Sequence, residues 1–284
     1  MKSYLRILIL CLSAGFLIAC GGGGSDSGSD SGSATQTGTF VDAAVEGLTY
    51  TSGSLTGETD ALGTFSYETG QPVTFSVGGI TIGTVSGSAI ITPVQLVTGA
   101  INETDPTVIN IVQFMLTIDD DHDPSNGIQV TAAIHDAAVG LSLDFTAADF
   151  DTSSSSVIDT LTTASTVGSI VLVSGADAGD HLRGSLFSLI AGSYSGTYSG
   201  TDSGNWTITT DVNGVVSGSG NSTVEVFPFN ITGTITSSGS TTASAGGAAG
   251  SSTWSGIVDI TTGTLSGTWT DSVSENGTFS GNKL

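Results

Sequence analysis

Gly192-Ser193-Tyr194-Ser195-Gly196-Thr197-Tyr198-Ser199-Gly200 returns in shortened form as Gly263-Thr264-Leu265-Ser266-Gly267 and Gly277-Thr278-Phe279-Ser280-Gly281. Residues two apart on a strand share a face. One parity of this texture reads Tyr194-Gly196-Tyr198-Gly200, Trp254-Gly256-Val258-Ile260, Leu265-Gly267-Trp269 and Gly277-Phe279-Gly281, while the other is almost all Ser, Thr, Asn and Asp. Large rings and glycines on one face with a polar opposite face are how a small closed barrel fills its interior. Turn signals at Asp211-Val212-Asn213-Gly214, Ser237-Ser238-Gly239, Gly246-Gly247 and Ser274-Glu275-Asn276-Gly277 cut residues 192–284 into about eight strands joined as hairpins. The expectation is an eight-stranded antiparallel up-and-down β-barrel, whose closure removes the exposed edges of a Thr-rich sheet.

In layout this meander resembles the small barrels of the avidin and lipocalin families, and that resemblance carries no ligand residues with it. Trp206, Trp254 and Trp269 are the candidate lining of a ligand pocket if the inward glycines leave a cavity. The competing expectation is a filled barrel in which those glycines only make room for rings. The inward face offers few polar groups to orient a ligand, as pockets usually do, and this favours the filled barrel.

Upstream, residues 91–191 change to helical texture. Asp105-Pro106 places an N-cap before a proline at the first helical position. Val108, Ile111, Val112 and Met115 then recur at helical spacing, and Ile109, Phe114 and Leu116 widen the stripe until the helix is apolar nearly all round, the mark of a buried one. Further helices are expected over Thr131 to Val139, about Ser155 to Ala164, and Ala178 to Ile190.

Between the first two lies Asp119-Asp120-Asp121-His122-Asp123-Pro124-Ser125-Asn126-Gly127. Asp119, Asp121 and Asp123 alternate as hard oxygen ligands do in calcium loops, with Asn126 available beside them. The cluster follows a helix C-terminus, where negative charge is disfavoured and a cation would relieve it. Against calcium, Pro124 and Val130 stand where an EF-hand loop needs its glycine and glutamate, so the alternative is a solvated acidic turn. Asp177, His181 and Ser185 follow each other at helical spacing and mimic the residue types of a hydrolase triad. No oxyanion hole or Gly-x-Ser-x-Gly elbow accompanies them, and chance spacing accounts for them better. The three histidines, His122, His135 and His181, show no zinc-ligand spacing.

Residues 38–90 alternate between apolar and polar positions in short runs, as in Val73-Thr74-Phe75-Ser76-Val77 and Ile80-Thr81-Ile82, which argues strands with one buried face. In Gly57-Glu58-Thr59-Asp60-Ala61-Leu62-Gly63-Thr64-Phe65-Ser66-Tyr67, Asp60 opens a turn by accepting from its own downstream backbone and Gly63 closes it at positive φ. The segment resembles the Gly-x-Thr-Asp-x-x-Gly-x-Phe-x-Tyr hairpin of transthyretin-like, carboxypeptidase-regulatory-like modules. That resemblance implies a small β-sandwich with a binding or spacer role.

At the start, Lys2 and Arg6 precede an apolar run ending in Leu17-Ile18-Ala19-Cys20, with a tract of four glycines behind it. The run is a secretory signal in form and falls short of the roughly 20 apolar residues of a membrane span. Leu17-Ile18-Ala19-Cys20 resembles the lipobox of bacterial lipoproteins. The resemblance implies a signal peptide over 1–20, lipidation of Cys20 as the mature N-terminus, and, with Gly21 rather than Asp next to it, sorting to the outer membrane. Several acyl chains, at about 0.8 kcal/mol per buried methylene, anchor stably where one does not. Residues 21–37 read as a flexible Gly/Ser/Asp linker holding the first domain on the order of 20 Å from the lipid.

With the signal removed, Arg183 and Lys283 alone stand against all 26 acids, a net charge of −24. Nucleic acid would be repelled, and no basic clamp exists for phosphorylated substrates. Cys11 lies in the signal and Cys20 carries lipid, so no disulfide is expected. The sequence therefore points to a multidomain, mainly β, lipid-anchored envelope protein. Its expected role is non-catalytic: adhesion, contact with carbohydrate or envelope protein, or structural spacing. A barrel carrier of an apolar or aromatic ligand is the second expectation, and an envelope hydrolase with unpaired carboxylates the third.

Overall fold

The computed structural model describes residues 33–247 and 250–284. The expected signal peptide, Cys20 and most of the expected linker lie outside the described residues. The chain is mainly β, with two sandwich-like sheets, a helical segment and a closed eight-stranded barrel.

The first strands are β1 (Thr35–Phe40), β2 (Val45–Glu46), β3 (Thr49–Ser52), β4 (Leu55–Glu58), β5 (Thr64–Glu68), β6 (Pro72–Val77), β7 (Ile80–Ser86) and β8 (Ile90–Ile91). All but β2 fall into two sheets, one in the order β5-β1-β8 and another in the order β4-β3-β6-β7. Alternation sets the inner faces: Val73, Phe75 and Val77 of β6 are buried while Thr74 and Ser76 are not. Phe75 lies edge-on to both Phe40 and Phe65, with centroids 4.9 and 5.1 Å apart. β1 begins inside the stretch expected to be linker, because the backbone of Thr35 to Thr37 pairs with β5 while its polar side chains stay in solvent.

The Asp60 turn forms as the sequence predicts. Leu62 N and Thr64 N donate to Asp60 Oδ1 at 2.9 and 2.8 Å, and Gly63 has φ +74°. It is not a hairpin, however: β4 pairs with β3 and β5 with β1, so the turn carries the chain from one sheet to the other. Thr59 fixes the crossing by donating its hydroxyl to Val45 O at 2.6 Å and accepting from Leu48 N at 2.9 Å.

The helical segment holds α1 (Pro106–Thr117), the short strand β9 (Ile128–Gln129), α2 (Ala132–Ala137), α3 (Phe150–Ser153), α4 (Ser155–Thr162) and α5 (Gly175–Ile190). Asp105 caps α1, accepting from Thr107 N at 2.8 Å, with Pro106 at the first position. Val108, Ile111, Val112, Phe114, Met115 and Leu116 are all buried. Ser174 caps α5, which starts three residues before the predicted Ala178. β9 pairs in parallel with β2, and one hydrophobic core runs from Phe40 of β1 through α1 to Leu182 and Leu186 of α5.

The barrel comprises β10 (Gly192–Gly200), β11 (Gly204–Thr210), β12 (Val215–Ser222), β13 (Pro228–Ile235), β14 (Ser240–Gly247), β15 (Gly250–Asp259), β16 (Thr264–Asp271) and β17 (Asn276–Lys283). Each pairs antiparallel with the next, and β10 pairs with β17 from Tyr194↔Lys283 to Gly200↔Gly277 to close the ring. The inner face carries Tyr194, Tyr198, Trp206, Ile208, Ile231, Trp254, Trp269 and Phe279, and several of its glycines lie under rings. A Cβ at Gly196 would stand 2.6 Å from Trp206 Cζ2, and one at Gly267 would stand 2.8 Å from Phe279 Cε1. The outer positions of β11, Asn205, Thr207 and Thr209, are exposed and polar, the reverse of the apolar outer band of a membrane-spanning barrel.

One end of the barrel is plugged. α5 runs directly into β10, its last residue Ile190 is part of the barrel core, and Tyr194 Oη donates to Ile190 O at 2.6 Å. The other end, where the β10–β11, β12–β13 and β16–β17 connections lie, is opposite the end that Ile190 plugs.

Candidate functional site

Tyr198, Phe229, Trp254 and Trp269 converge just inside the open end and floor a cleft of about 110 Å3. Trp254 and Trp269 are cross-strand partners with rings stacked at 6.5 Å and 26°. Tyr198 stands edge-on to both, at 5.2 and 5.8 Å, and Phe229 closes the floor edge-on to Tyr198 at 5.8 Å. The polar atoms of these rings are already used. Trp254 Nε1 donates to Ser252 Oγ at 2.9 Å, Trp269 Nε1 to Ser199 O at 3.3 Å, and Tyr198 Oη to Asp202 Oδ2 at 2.8 Å. What the floor offers a visitor is therefore ring surface rather than hydrogen-bond donors. Burial, together with the Asp202 carboxylate, pushes the Tyr198 phenol well above its ordinary value, so it stays protonated.

Four acids line the cleft: Asp202, Glu225, Asp271 and Glu275. Asp202 is held by Ser203 N and Ser222 Oγ at 2.7 and 2.8 Å, and Asp271 Oδ1 accepts from Val273 N and Glu275 N at 2.9 and 2.8 Å. The β12–β13 connection carries exposed Val224 and Val226 beside half-exposed Phe227. Val226 has φ +59°, an outlier for a β-branched residue and a strain of the kind found at binding loops.

The three predicted tryptophans divide. Trp254 and Trp269 meet at the cleft, whereas Trp206 lies deeper, edge-on to Phe279 at 6.0 Å. Around Trp206 the interior leaves only about 20 Å3, bounded by Ile208, Val216, Ile231, Leu265 and Phe279. The barrel is filled. The rim acids were missed in the sequence reading because they sit in ordinary turn loops; the available signal was an acid at Asp202, Glu225 and Glu275 in alternate hairpin connections.

The acidic loop does not gather its carboxylates. Asp119 is buried, its Oδ1 accepting from Gln129 N at 2.8 Å while Oδ2 has no partner among the described residues. Asp120 accepts from Thr166 N and Oγ1 at 3.1 and 2.8 Å. Asp121 turns outward to accept from Asp123 N and Asn126 Nδ2 at 2.9 and 2.8 Å, and Asp123 accepts from Ser125 N at 3.2 Å. Among the described residues, no three His, Cys, Asp or Glu side chains converge so as to hold a metal ion. Burial, and less so the neighbouring acids, raises Asp119 to about 6, with the Gln129 amide opposing.

Asp177, His181 and Ser185 do not assemble. Asp177 accepts from the Ser174 hydroxyl at 2.7 Å, and Ser185 Oγ accepts from Ala43 N at 3.3 Å. His181 Nε2 instead approaches Asp42, 3.3 Å from its carbonyl and 3.4 Å from Oδ1. Asp42 is fully buried and burial pushes its carboxyl up to about 8, while burial also holds His181 below its ordinary value. At neutral pH both are uncharged, so the pair is no salt bridge. Asp42, an acid inside the apolar run Val41 to Val45, was missed too. His135 is structural: its Nδ1 accepts from Gly78 N at 3.0 Å, which leaves Nε2 to donate to Gly47 O at 2.6 Å. No family model matches the chain, and no curated protein matches it.

Proposed function

We propose that this chain is a lipid-anchored cell-envelope protein, tethered to the outer membrane at Cys20, whose role is non-catalytic binding exercised at the open end of the barrel. The observation that carries this reading is the pairing of a filled interior with one accessible aromatic cleft. A carrier that engulfs its ligand needs a cavity of several hundred Å3, and the barrel core keeps about 20 Å3. The hydrolase reading has less support, since His181 makes no hydrogen bond to Ser185 among the described residues and Asp177 is engaged by Ser174. A cleft of about 110 Å3 is sized for one protruding group of a larger partner, carbohydrate or envelope protein, rather than for a whole drug-sized ligand.

The test is to present the full chain, in non-ionic detergent, to a broad panel of glycans and envelope polymers with and without calcium. Binding without turnover that weakens at least tenfold in Trp254→Ala is the expected result. Product formation would overturn the reading, as would binding that ignores the cleft.

A further inference from the structure

The two cations of the described chain are both at the plugged end of the barrel. Arg183 of α5 donates from Nε to Glu103 Oε1 at 2.8 Å, and Glu103 Oε2 accepts from Ser237 Oγ in the β13–β14 turn at 2.6 Å. Lys283, the last residue of β17, donates from Nζ to Leu189 O at 2.6 Å. No Lys or Arg among the described residues lies at the open end, where four acids surround four rings. From this arrangement we infer that the cleft is a receptor for an organic ammonium group, whether a methylated ammonium or the primary amine of a lysine-type side chain. The inference rests on the open end being the binding surface.

Three features carry it. An aromatic face attracts a cation through its quadrupole, and the attraction strengthens when the cation is desolvated between several rings. Here Tyr198, Trp254 and Trp269 pack against one another, with centroids 5.2 to 6.5 Å apart, and floor the cleft with their donors already engaged, so a ligand that needs hydrogen bonds from the floor gains none. The rim supplies negative charge with no Lys or Arg beside it among the described residues, and a cleft lined by one sign of charge concentrates the opposite ion. Size is consistent: about 110 Å3 takes a small headgroup, and the exposed Val226 and Phe227 beside it would meet the apolar part of whatever carries that group.

Titrating the full chain in non-ionic detergent with choline, with butylammonium and with 3,3-dimethylbutanol, the neutral isostere of choline, tests this through tryptophan fluorescence. Saturable emission changes are expected with one or both cations, weakening with salt, and at least tenfold weaker with the alcohol. Choline binding alone would identify a methylated group, and butylammonium alone a primary amine. Glu225→Gln with Glu275→Gln, exposed substitutions that leave the rings in place, is expected to weaken cation binding about tenfold or more. Equal affinity for the alcohol would overturn the ammonium inference while leaving a binding cleft. Failure of all three probes would overturn the inference too; if a panel partner still binds in a Trp254-dependent way, the proposed function survives it. Cation binding unaffected by both the rim and Trp254→Ala variants would place it elsewhere and overturn the inference.

Discussion

Asp42 combines complete burial with a carboxyl that no hydrogen bond satisfies among the described residues, beside Ala43 at φ +63°. With its carboxyl raised to about 8 against an ordinary 3.8, the folded chain keeps a proton that the unfolded chain loses from about pH 4 upward. Stability therefore falls as pH rises between those values, by at most about 1.4 kcal/mol per pH unit for this one proton. His181 works in the opposite sense. Its value is depressed on folding, so its contribution grows as pH rises toward its ordinary 6.5 and is then constant. Asp119, raised to about 6, acts in the direction of Asp42 but only below that pH. The window from pH 6.5 to 8 is thus left to Asp42. Denaturant unfolding of the wild type across that window is expected to show declining stability, whereas Asp42→Asn should be nearly flat and more stable than the wild type at pH 8. A variant with the wild-type slope would show that another group titrates.

α5 is the element that joins the body to the barrel, packing Leu182 and Leu186 into one core and Ile190 into the other. The polar side of that joint is unequal. Glu103 is 4% exposed and Arg183 44% exposed, and Arg183 keeps Asp180 at 2.7 Å whatever happens to Glu103. Removing the cation strands a buried carboxylate, which costs roughly 3–5 kcal/mol, while Glu103→Gln removes a charge-assisted bond worth about 1.5–3 kcal/mol from a partner that water can reach. Chemical denaturation of Arg183→Met and Glu103→Gln should therefore show the larger loss in the arginine variant, and equal losses would mean that Glu103 is solvated. The same elements show what was legible beforehand. Asp105-Pro106 and the Ser/Thr-against-ring parity gave α1 and the barrel, because caps and alternation are local. The separation of β4 from β5 was not legible, since a turn sequence does not say which strand each arm will pair with. Nor was the approach of His181 to Asp42 across 139 residues, or the cleft, whose rings come from four different strands.

At the scale of the molecule, the proposed anchor at Cys20 and the proposed binding cleft lie far apart in the sequence. In the sequence, the proposed lipidation site at Cys20 and a glycine-rich stretch precede the body; the body packs against one end of the barrel through α5, and the barrel presents its other end away from that contact. Outward positions of β11 such as Thr207 and Thr209 are polar and exposed, unlike the apolar outer band of a membrane-spanning barrel, and the proposed anchoring is assigned to Cys20. On the proposed function, anchoring and recognition are separate. In cells fed a labelled fatty acid, the wild type is expected to incorporate label and fractionate with membranes, while Cys20→Ser takes up none and leaves the membrane fraction. The same variant, purified in the same detergent, is expected to keep the wild-type affinity for whatever binds the cleft, because the residues that line the cleft all come from the barrel strands and their connections. Label retained in Cys20→Ser would refute the anchor. Loss of cleft binding in that variant would show that anchoring and recognition are coupled, contrary to the proposed division of labour.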